Sequence, residues 1–420
     1  MSKNYRSIIL LLFSIISCNL AQGLTIIAVP WHFADTLNQS SVFAILYAIT
    51  TFIGLIWGIY AGVLIDNFSR KKILLYINFL SSAIFFTVGY LDVFMKINHP
   101  LLIFLGFMNC SLYYIIFFPN LYALAQELTQ KNQYVKINSF IEIFCQLTNI
   151  VAATLCGMLL SKNHKLIAYV NNIFEFQPWS IGDLFLLNSA LYFLTWIVLL
   201  SLKDSNKETK LNLNLSFTIN EVKHVFRLLI KKKSILIYGV CSQIIFAFLI
   251  VELFTLLPLF VKNCLNEDIE IFSLADVFYG FGAIIAGVIT FKILKNINKL
   301  YFTILLMVIT GYSFFLMIKF ITLSHFFFAT IVIGITNAST RITRMSYLFE
   351  KIPNSFIGRA NTIFNSINTL IRGMLILLFS APWFSKNINV LIGYKIGILI
   401  LALFTLPLIW QVYNYQSEID

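Results

Sequence analysis

About twelve long apolar blocks divide the chain and constrain its fold more than any other feature. Each holds about 20 mostly apolar residues, which at 1.5 Å per helical residue matches the roughly 30 Å thickness of bilayer hydrocarbon. The chain has 420 residues, 59% hydrophobic and only 11% charged, whereas soluble domains carry roughly 25% charged residues. The sequence therefore predicts a polytopic membrane protein. The blocks occupy residues 7–31, 41–65, 73–95, 100–126, 137–160, 181–202, 234–262, 271–294, 300–320, 325–348, 358–383 and 392–412.

The blocks predict helices. They lack the alternation of polar and apolar residues that is typical of transmembrane β-strands, and helices are the other structure that satisfies every backbone group in lipid. The longest polar connection lies between blocks six and seven. It divides the chain into an N-terminal six-helix half, 1–202, a cytoplasmic linker, 203–233, and a C-terminal six-helix half, 234–420. Within the linker, a capping-box pattern before regularly spaced apolar residues predicts an amphipathic surface helix.

A short internal repeat supports the two halves. The segment ELTQKNQYVKINSF at 127–140 aligns without gaps with EKIPNSFIGRANTI at 350–363. The alignment places Glu127 on Glu350, and both segments lead into equivalent blocks, the fifth and the eleventh. Parallel repeats of this kind, related by an axis along the membrane normal, are typical of certain transporters. The repeat thus favours transport as the function.

The distribution of basic residues predicts the orientation. Of the 30 Lys and Arg residues, 22 lie on the side that holds both termini and 7 on the other side. Short loops rich in Lys and Arg stay in the cytoplasm, so we expect both termini in the cytoplasm and the protein in a bacterial inner (cytoplasmic) membrane. The net charge of +12 is explained by basic loops that face anionic lipid. It requires no nucleic-acid partner.

The turn between blocks two and three resembles a known signature. It reads GVLIDNFSRK at 62–71, similar to the Gly-x-x-x-Asp-Arg-x-Gly-Arg-Arg loop of the major facilitator superfamily, with Asn67 and Ser69 at two departing positions. The resemblance implies a cytoplasmic gate, in which the acid lies against the start of a helix and the bases hold the loop at the inner surface. The implied gate residues are Gly62, Asp66, Arg70 and Lys71.

Two further segments indicate a branch of that superfamily. Residues 17–52 and 350–367 are similar to the branch that contains the enterobactin exporter and many multidrug permeases. Drug–proton antiporters typically carry a Gly-Pro-x-x-Gly-Gly pattern in span five, and AATLCG at 152–157 keeps only its last glycine. The resemblance therefore implies export of a small organic molecule, with drug antiport less well supported than export in general.

Polar residues at the estimated depth of the membrane centre are the predicted substrate-binding residues. In this architecture substrate binds near the midplane between the halves. Amides inside a membrane also cross-link helices, at roughly 0.6 kcal/mol each, so a structural role is the alternative for each amide. The predicted residues are Asn19, Gln22, Gln146, Asn149, Gln243, Asn337 and Arg372.

The charge of Arg372 requires a partner, because a charge at the membrane centre costs about 2.5 kcal/mol or more. One interpretation is that Arg372 anchors an anionic group of the substrate. The alternative is an ion pair with Glu252 in span seven. Glu252 and Glu142 are also the predicted carriers of a coupled proton.

The sequence thus predicts a monomeric secondary-active transporter that works by alternating access and exports a siderophore-like, drug-like or metabolite molecule with proton coupling. An uptake permease or lysolipid flippase of the same fold is one alternative, and a transporter-like sensor that moves nothing is another. We expect no enzyme activity, cofactor or metal. The chain lacks the phosphate-binding pattern Gly-x-x-x-x-Gly-Lys-Ser/Thr, and its His and Cys residues show no metal-site spacing.

Overall fold

The structure, a computed structural model, describes residues 5–128, 134–161, 177–202, 226–294, 297–352 and 354–417. Within these ranges all regular structure is helical. Twelve of the described helices are long and apolar enough to cross a membrane. The predicted fold class and the predicted number of spans are therefore confirmed.

The first six helices begin and end within a few residues of the predicted blocks. Local sequence explains the boundaries, as at the start of the sixth helix, where Ser180 and Asp183 cap each other's backbone N–H groups. These helices are α1 (Tyr5–Asp35), α2 (Ser40–Asn67), α3 (Arg70–Val93), α4 (Pro100–Leu128), α5 (Tyr134–Leu160) and α6 (Ile181–Leu200).

The second six helices follow the same pattern of long apolar segments. Asn298 and Thr322 cap the starts of two of them with side-chain oxygens. They are α7 (Lys233–Leu265), α8 (Ile269–Ile293), α9 (Lys299–Lys319), α10 (Leu323–Lys351), α11 (Asn354–Phe379) and α12 (Val390–Ser417).

Helix α7 is irregular. A break at residues 242–243 separates Lys233–Cys241 from Ile244–Val251, and π-helical turns follow at Glu252–Leu256 and Val261–Leu265. Pro258 contributes, because it has no N–H to donate to the carbonyl four residues before it. In its most apolar stretch α7 is 83% buried, whereas the other spans reach 33–56%. Single π turns inside α-helices often mark functional sites.

The chain forms two compact units. Unit 1 comprises Met1–Gln39, Phe52–Leu213 and Glu267–Leu274, and unit 2 comprises Ser40–Thr51, Asn214–Asn266 and Ala275–Asp420. Unit 1 holds most of α1 to α6 and unit 2 most of α7 to α12, whereas the beginning of α2 belongs to unit 2 and the beginning of α8 to unit 1. The predicted boundaries around the linker stay a prediction. Residues 203–225 of that linker lie outside the described ranges, and residues 226–231 are helical.

Unit 1 has a buried network of neutral polar groups. In this unit α1 packs against α5 and α6, and α3 packs against α6. The Asn78 Oδ1 atom accepts hydrogen bonds from Tyr113 Oη at 3.1 Å and from Cys18 Sγ at 3.2 Å. Asn78 also donates to the Leu74 carbonyl at 2.7 Å. These bonds join α1, α3 and α4 into one scaffold.

In unit 2 the backbones of α8 and α10 lie unusually close together. A Cβ atom on Gly282 would lie 2.1 Å from the Ile331 carbonyl oxygen, and one on Gly334 would lie 2.2 Å from the Tyr279 carbonyl oxygen. Only glycine permits such an approach, which increases van der Waals contact between helices in lipid. This contact holds the two helices that, with α7, form the cavity described next.

Candidate functional site

Unit 2 contains a cavity of about 130 Å³ between α7, α8 and α10. An apolar cavity of about 150 Å³ holds a benzene ring, so this space is of the order of one ring. Five of its lining residues have polar side chains, namely Glu252, Asp276, Tyr279, Thr330 and Asn337. The other lining residues are Phe246, Leu249, Ile250, Leu253, Leu257, Ala275 and Ile333.

Glu252 lies at the first π turn of α7 and lines the cavity. Its side chain is only 6% exposed, and its Oε1 atom accepts a hydrogen bond of 2.7 Å from Tyr394 Oη on α12. Among the described residues, no cation forms an ion pair with Glu252, and its Oε2 atom has no hydrogen bond. A buried carboxylate without a counter-ion is strongly disfavoured in its charged form. Glu252 is therefore suited to take up a cation or a proton.

Asp276 brings a second carboxylate to the cavity from α8. In the part of the chain that the structure describes, Asp276 has neither a hydrogen bond nor an ion pair. One turn further along α8, Tyr279 Oη accepts a 2.6 Å hydrogen bond from Asn337 Nδ2 on α10. Tyr279 interacts electrostatically with both carboxylates. The two acids therefore belong to one site.

The arginines of α10 do not neutralise this site. Arg344 lies beside the break in α7 and donates to the Ser242 carbonyl at 3.4 Å. Arg341 interacts electrostatically with Tyr279, but it is exposed and does not line the cavity. Within the described ranges, neither arginine forms an ion pair with Glu252 or Asp276. The cavity keeps two carboxylates without a paired cation.

The predicted site residues of unit 2 fall at three different places. Asn337 and Glu252 line the same cavity. Gln243 is buried at the break in α7, where its carbonyl accepts a 3.1 Å hydrogen bond from Asn368 Nδ2. The same carbonyl also accepts the Ala247 N–H at 2.9 Å, so Asn368 adds a second donor that ties α11 to the break in α7.

Arg372 lies on α11 and does not line the cavity. Its Nε atom is buried and has no hydrogen bond among the described residues. It interacts electrostatically with Tyr47, whose ring makes an edge contact with Phe254 at a centroid distance of 5.0 Å. No ion pair with Glu252 is formed in the described part of the chain.

The predicted substrate-binding residues of unit 1 mainly form hydrogen bonds between helices. Asn19 Nδ2 donates to the Cys145 carbonyl at 3.2 Å and to Asn149 Oδ1 at 3.4 Å, which joins α1 to α5. Gln22 is buried and its side chain interacts with Tyr192 of α6, although its Nε2 atom forms no hydrogen bond of good geometry among the described residues. Gln146 is half-buried on α5. The structure thus brings Asn19 and Asn149 together.

The basic residues of the gate motif bind the ends of neighbouring helices in unit 1. Arg70 Nη1 lies 2.8 Å from Glu127 Oε1 and donates to the Ala123 carbonyl at 2.6 Å. Lys71 Nζ donates to the Leu200 carbonyl at the end of α6, at 3.1 Å. Cations are favoured at helix C-termini because the last carbonyls carry partial negative charge.

Three other predicted residues are placed only in part. Gly62 is exposed on α2. Asp66 and Glu142 lie on α2 and α5, but their side chains lie outside the part that the structure describes. The predicted roles of Asp66 as gate acid and Glu142 as proton carrier therefore stay predictions.

Sequence reasoning missed Asp276, Tyr279 and Tyr394. A signal existed for Asp276, because it is an acid inside an apolar block, and an ionisable residue within a span indicates a functional site by default. The tyrosines gave no such signal. Tyrosine is common in these spans, and only the packing of α7, α8, α10 and α12 selects these two.

Comparison with known proteins extends over most of the chain. The family model described as Major Facilitator Superfamily matches residues 11–375. No curated protein matches the chain. At under 25% identity, the following likenesses to solved structures concern the fold alone.

Three transporters represent these similar structures. A variant of the nucleoside transporter NupG superposes with a TM-score of 0.71 at 14% identity, covering 95% of this chain and 98% of its own. A bacterial homologue of the human lysosomal transporter Spinster gives 0.69 at 12% identity, covering 99% of both chains. A D-xylose–proton symporter gives 0.66 at 15% identity, covering 96% of this chain and 97% of its own.

Proposed function

Because this chain belongs to the Major Facilitator Superfamily of membrane transporters, we propose that it exports a small organic molecule in exchange for protons. Alternating access of the two units to the two sides of the membrane would drive this secondary-active transport. The substrate would be siderophore-like, drug-like or a metabolite, and the exporter would act as a monomer in a bacterial inner membrane. Support for the direction comes from the similarity of residues 17–52 and 350–367 to an exporter branch.

The proposal of proton coupling rests on Glu252. It is buried, lines a cavity and has no paired cation among the described residues. A proton would remove a charge that this environment disfavours. Loading and unloading of the proton would thus change the energy of the site by a large amount. Glu142 is the second proposed carrier.

Arg372 is proposed to hold an anionic group of the substrate. Its buried Nε atom has no hydrogen bond in the described ranges, and a guanidinium presents a planar pair of donors that suits a carboxylate. The alternative role as the partner of Glu252 has no supporting contact. Gln22 and Asn337 are proposed as further substrate contacts, because the first has a buried donor that forms no hydrogen bond of good geometry in the described ranges and the second lines the cavity.

Uptake is the alternative direction. A D-xylose–proton symporter has the same fold, and by its name that protein moves sugar and protons together. The two directions differ in one observable, which is whether substrate and proton cross the membrane in opposite directions or in the same direction.

Proteoliposomes that enclose a pH-sensitive dye separate these possibilities. Labelled 2,3-dihydroxybenzoate, ethidium and xylose serve as probes under an imposed proton gradient. We expect at least one probe to move against the proton flow. We also expect Glu252→Gln to abolish gradient-driven transport, because an amide neither binds nor releases a proton near neutral pH. Asp92→Asn is the matched control, since Asp92 is a carboxylate of unit 1 outside the cavity.

Each other result has a clear meaning. Movement of probe and proton in the same direction would replace export by uptake. Full gradient-driven transport by Glu252→Gln would remove Glu252 as the carrier. If no probe moved with the proton gradient imposed in one direction or in the other, the alternative of a sensor that transports nothing would be favoured.

The orientation is tested independently. Reporter fusions after Asn206 and after Asp420 should both report the cytoplasm, because of the excess of basic residues on that side. An external signal from either fusion would contradict the proposed orientation.

A further inference from the structure

The cavity of unit 2 has an unusual balance of charge. Two carboxylates, Glu252 and Asp276, reach it from α7 and α8. Glu252 is more than nine-tenths buried, and its Oε2 atom is without a hydrogen bond in the described part of the chain. Two like charges in a low-dielectric site repel each other, so they cannot both stay charged without a compensating cation. The site therefore favours a bound positive charge.

The rest of the lining is mainly apolar and partly aromatic. Phe246 and Tyr279 supply rings, and aliphatic side chains of α7 and α10 complete the wall. Aromatic faces attract quaternary ammonium groups through the negative potential of the ring. An inorganic ion would make no favourable contact with these apolar walls, whereas a small organic cation would contact both the carboxylates and the aromatic rings.

We propose that this cavity binds an organic cation with one small apolar group, such as a single ring, and that Glu252 and Asp276 pair with its positive charge. The inference rests on the proposed function, because it names the substrate class of the transporter. Arg372 does not line this cavity, so its proposed contact with an anionic group is a separate feature. A zwitterionic substrate would satisfy both.

Protons and the cation would compete for the same carboxylates. Acidification neutralises Glu252 and Asp276, so binding of the cation should weaken as pH falls. The other groups that face the two acids are Tyr394, which donates to Glu252, and the Tyr279–Asn337 pair, with Arg341 in electrostatic range of Tyr279. Such competition couples release of one ligand to binding of the other, which is the requirement for exchange.

Calorimetry on the purified full-length protein in detergent tests the proposal. The probe is N-methylpyridinium, a single ring whose charge does not depend on pH, and its neutral isostere toluene is the matched ligand. We expect the cation to bind at least about tenfold more tightly than the isostere, which corresponds to about 1.4 kcal/mol. Its affinity should also fall as the solution is acidified, because a protonated carboxyl group carries no charge to pair with the cation.

Variants assign the binding to this cavity. Asp276→Asn and Glu252→Gln should each weaken cation binding about tenfold or more, and Asp92→Asn should leave it unchanged. Thermal unfolding of each variant reports whether the fold is intact. If Glu252→Gln fails to fold, Asp276→Asn decides alone, because Asp276 has no described bond whose loss would destabilise the protein.

Two results would overturn the inference. Equal binding of the cation and its isostere would reduce the site to an apolar cavity, and unchanged binding in Asp276→Asn would place the cation elsewhere. Failure of the proposed function is distinguishable. Cation binding without any proton-driven transport would leave this inference standing, and proton-driven transport of another probe without cation binding would leave the transporter proposal standing.

Discussion

Each unit buries a cluster of polar side chains in its apolar interior, and the two clusters differ in kind. Unit 1 buries neutral groups that bond to one another, as Asn78, Tyr113 and Cys18 do between three helices. Unit 2 buries ionisable groups around α7, where Glu252 and Asp276 line a cavity without a paired cation in the described ranges. A satisfied neutral network rigidifies a core, whereas a carboxylate that lacks a counter-ion stays available for ligands.

The difference suggests a division of labour. The helices of unit 1 are continuous, whereas α7 of unit 2 is broken at residues 242–243 and carries two π turns. Irregular backbone in a membrane is tolerated where other protein groups satisfy it, and here Arg344 donates to the Ser242 carbonyl and Asn368 to the Gln243 carbonyl at the break. The described helices of unit 1 form a scaffold of continuous segments, and unit 2 holds the cavity whose two carboxylates lack a paired cation in the described ranges.

Each of the two units also has an ion pair that involves a residue aligned in the internal repeat. Glu127 and Glu350 are aligned in that repeat, and each pairs with the first residue of a helix. Glu127 binds Arg70 at the start of α3, and Glu350 binds Lys299 at the start of α9. The same contact in equivalent positions supports duplication of a six-helix unit.

The largest effect that would sharpen the comparison concerns Arg372 of unit 2. Arg372→Gln should weaken binding of 2,3-dihydroxybenzoate about tenfold or more, because hydrogen bonds to charged groups contribute about 1.5–3 kcal/mol. The stability of the fold should change little. Calorimetric affinity and the thermal midpoint are the two measurements.

A double variant distinguishes the two roles of Arg372. If the arginine only balanced Glu252, Arg372→Gln would destabilise the fold, and Arg372→Gln with Glu252→Gln would restore its stability. We expect no rescue, because no ion pair joins them among the described residues. Wild-type binding and transport by Arg372→Gln alone would defeat the role in substrate binding.

A smaller effect, on stability, is expected in unit 1. Asn78→Leu should lower the free energy of unfolding by about 1–3 kcal/mol, because it leaves the buried Tyr113 hydroxyl without its oxygen acceptor. Thermal unfolding in detergent measures the loss. Proton coupling by the folded fraction should be unchanged. That result would show that Asn78 acts on stability and not on transport.

Tyr113→Phe in the Asn78→Leu background is the control. Removal of both polar partners should recover part of the lost stability, since an unsatisfied buried group is more costly than an apolar pair. If the double variant were less stable than the single one by the full cost of a second defect, the network interpretation of unit 1 would fail.

The smallest effects concern the repeated ion pairs. Arg70→Gln should destabilise unit 1 by about 1 kcal/mol, because ion pairs that water still reaches contribute at most about that much and Arg70 also donates to the Ala123 carbonyl. Lys299→Gln should cost less, since Glu350 is 61% exposed whereas Glu127 is 15% exposed. Thermal midpoints of the two variants give the comparison, and equal or reversed losses would show that the pairs are not ordered by burial.

The membrane architecture could be predicted because it depends on local sequence. Lipid offers no partner for backbone groups, so a block of about 20 apolar residues must become a helix whatever its neighbours are. Each of the twelve predicted blocks accordingly corresponds to a described span. The sequence also places Glu252 inside an apolar block. A charged residue there is costly, so its presence indicates a function.

The tertiary structure decided which polar residues meet. Sequence placed Asn337 and Gln243 at similar depths, yet only Asn337 lines the cavity, while Gln243 lies at a helix break. It also offered Arg372 as a partner for Glu252, and the structure instead gives Glu252 the hydroxyl of Tyr394. The rotation of each helix about its axis, together with the π turns of α7, determines these pairings. Those quantities depend on side-chain packing between distant segments, which no pattern along the chain encodes.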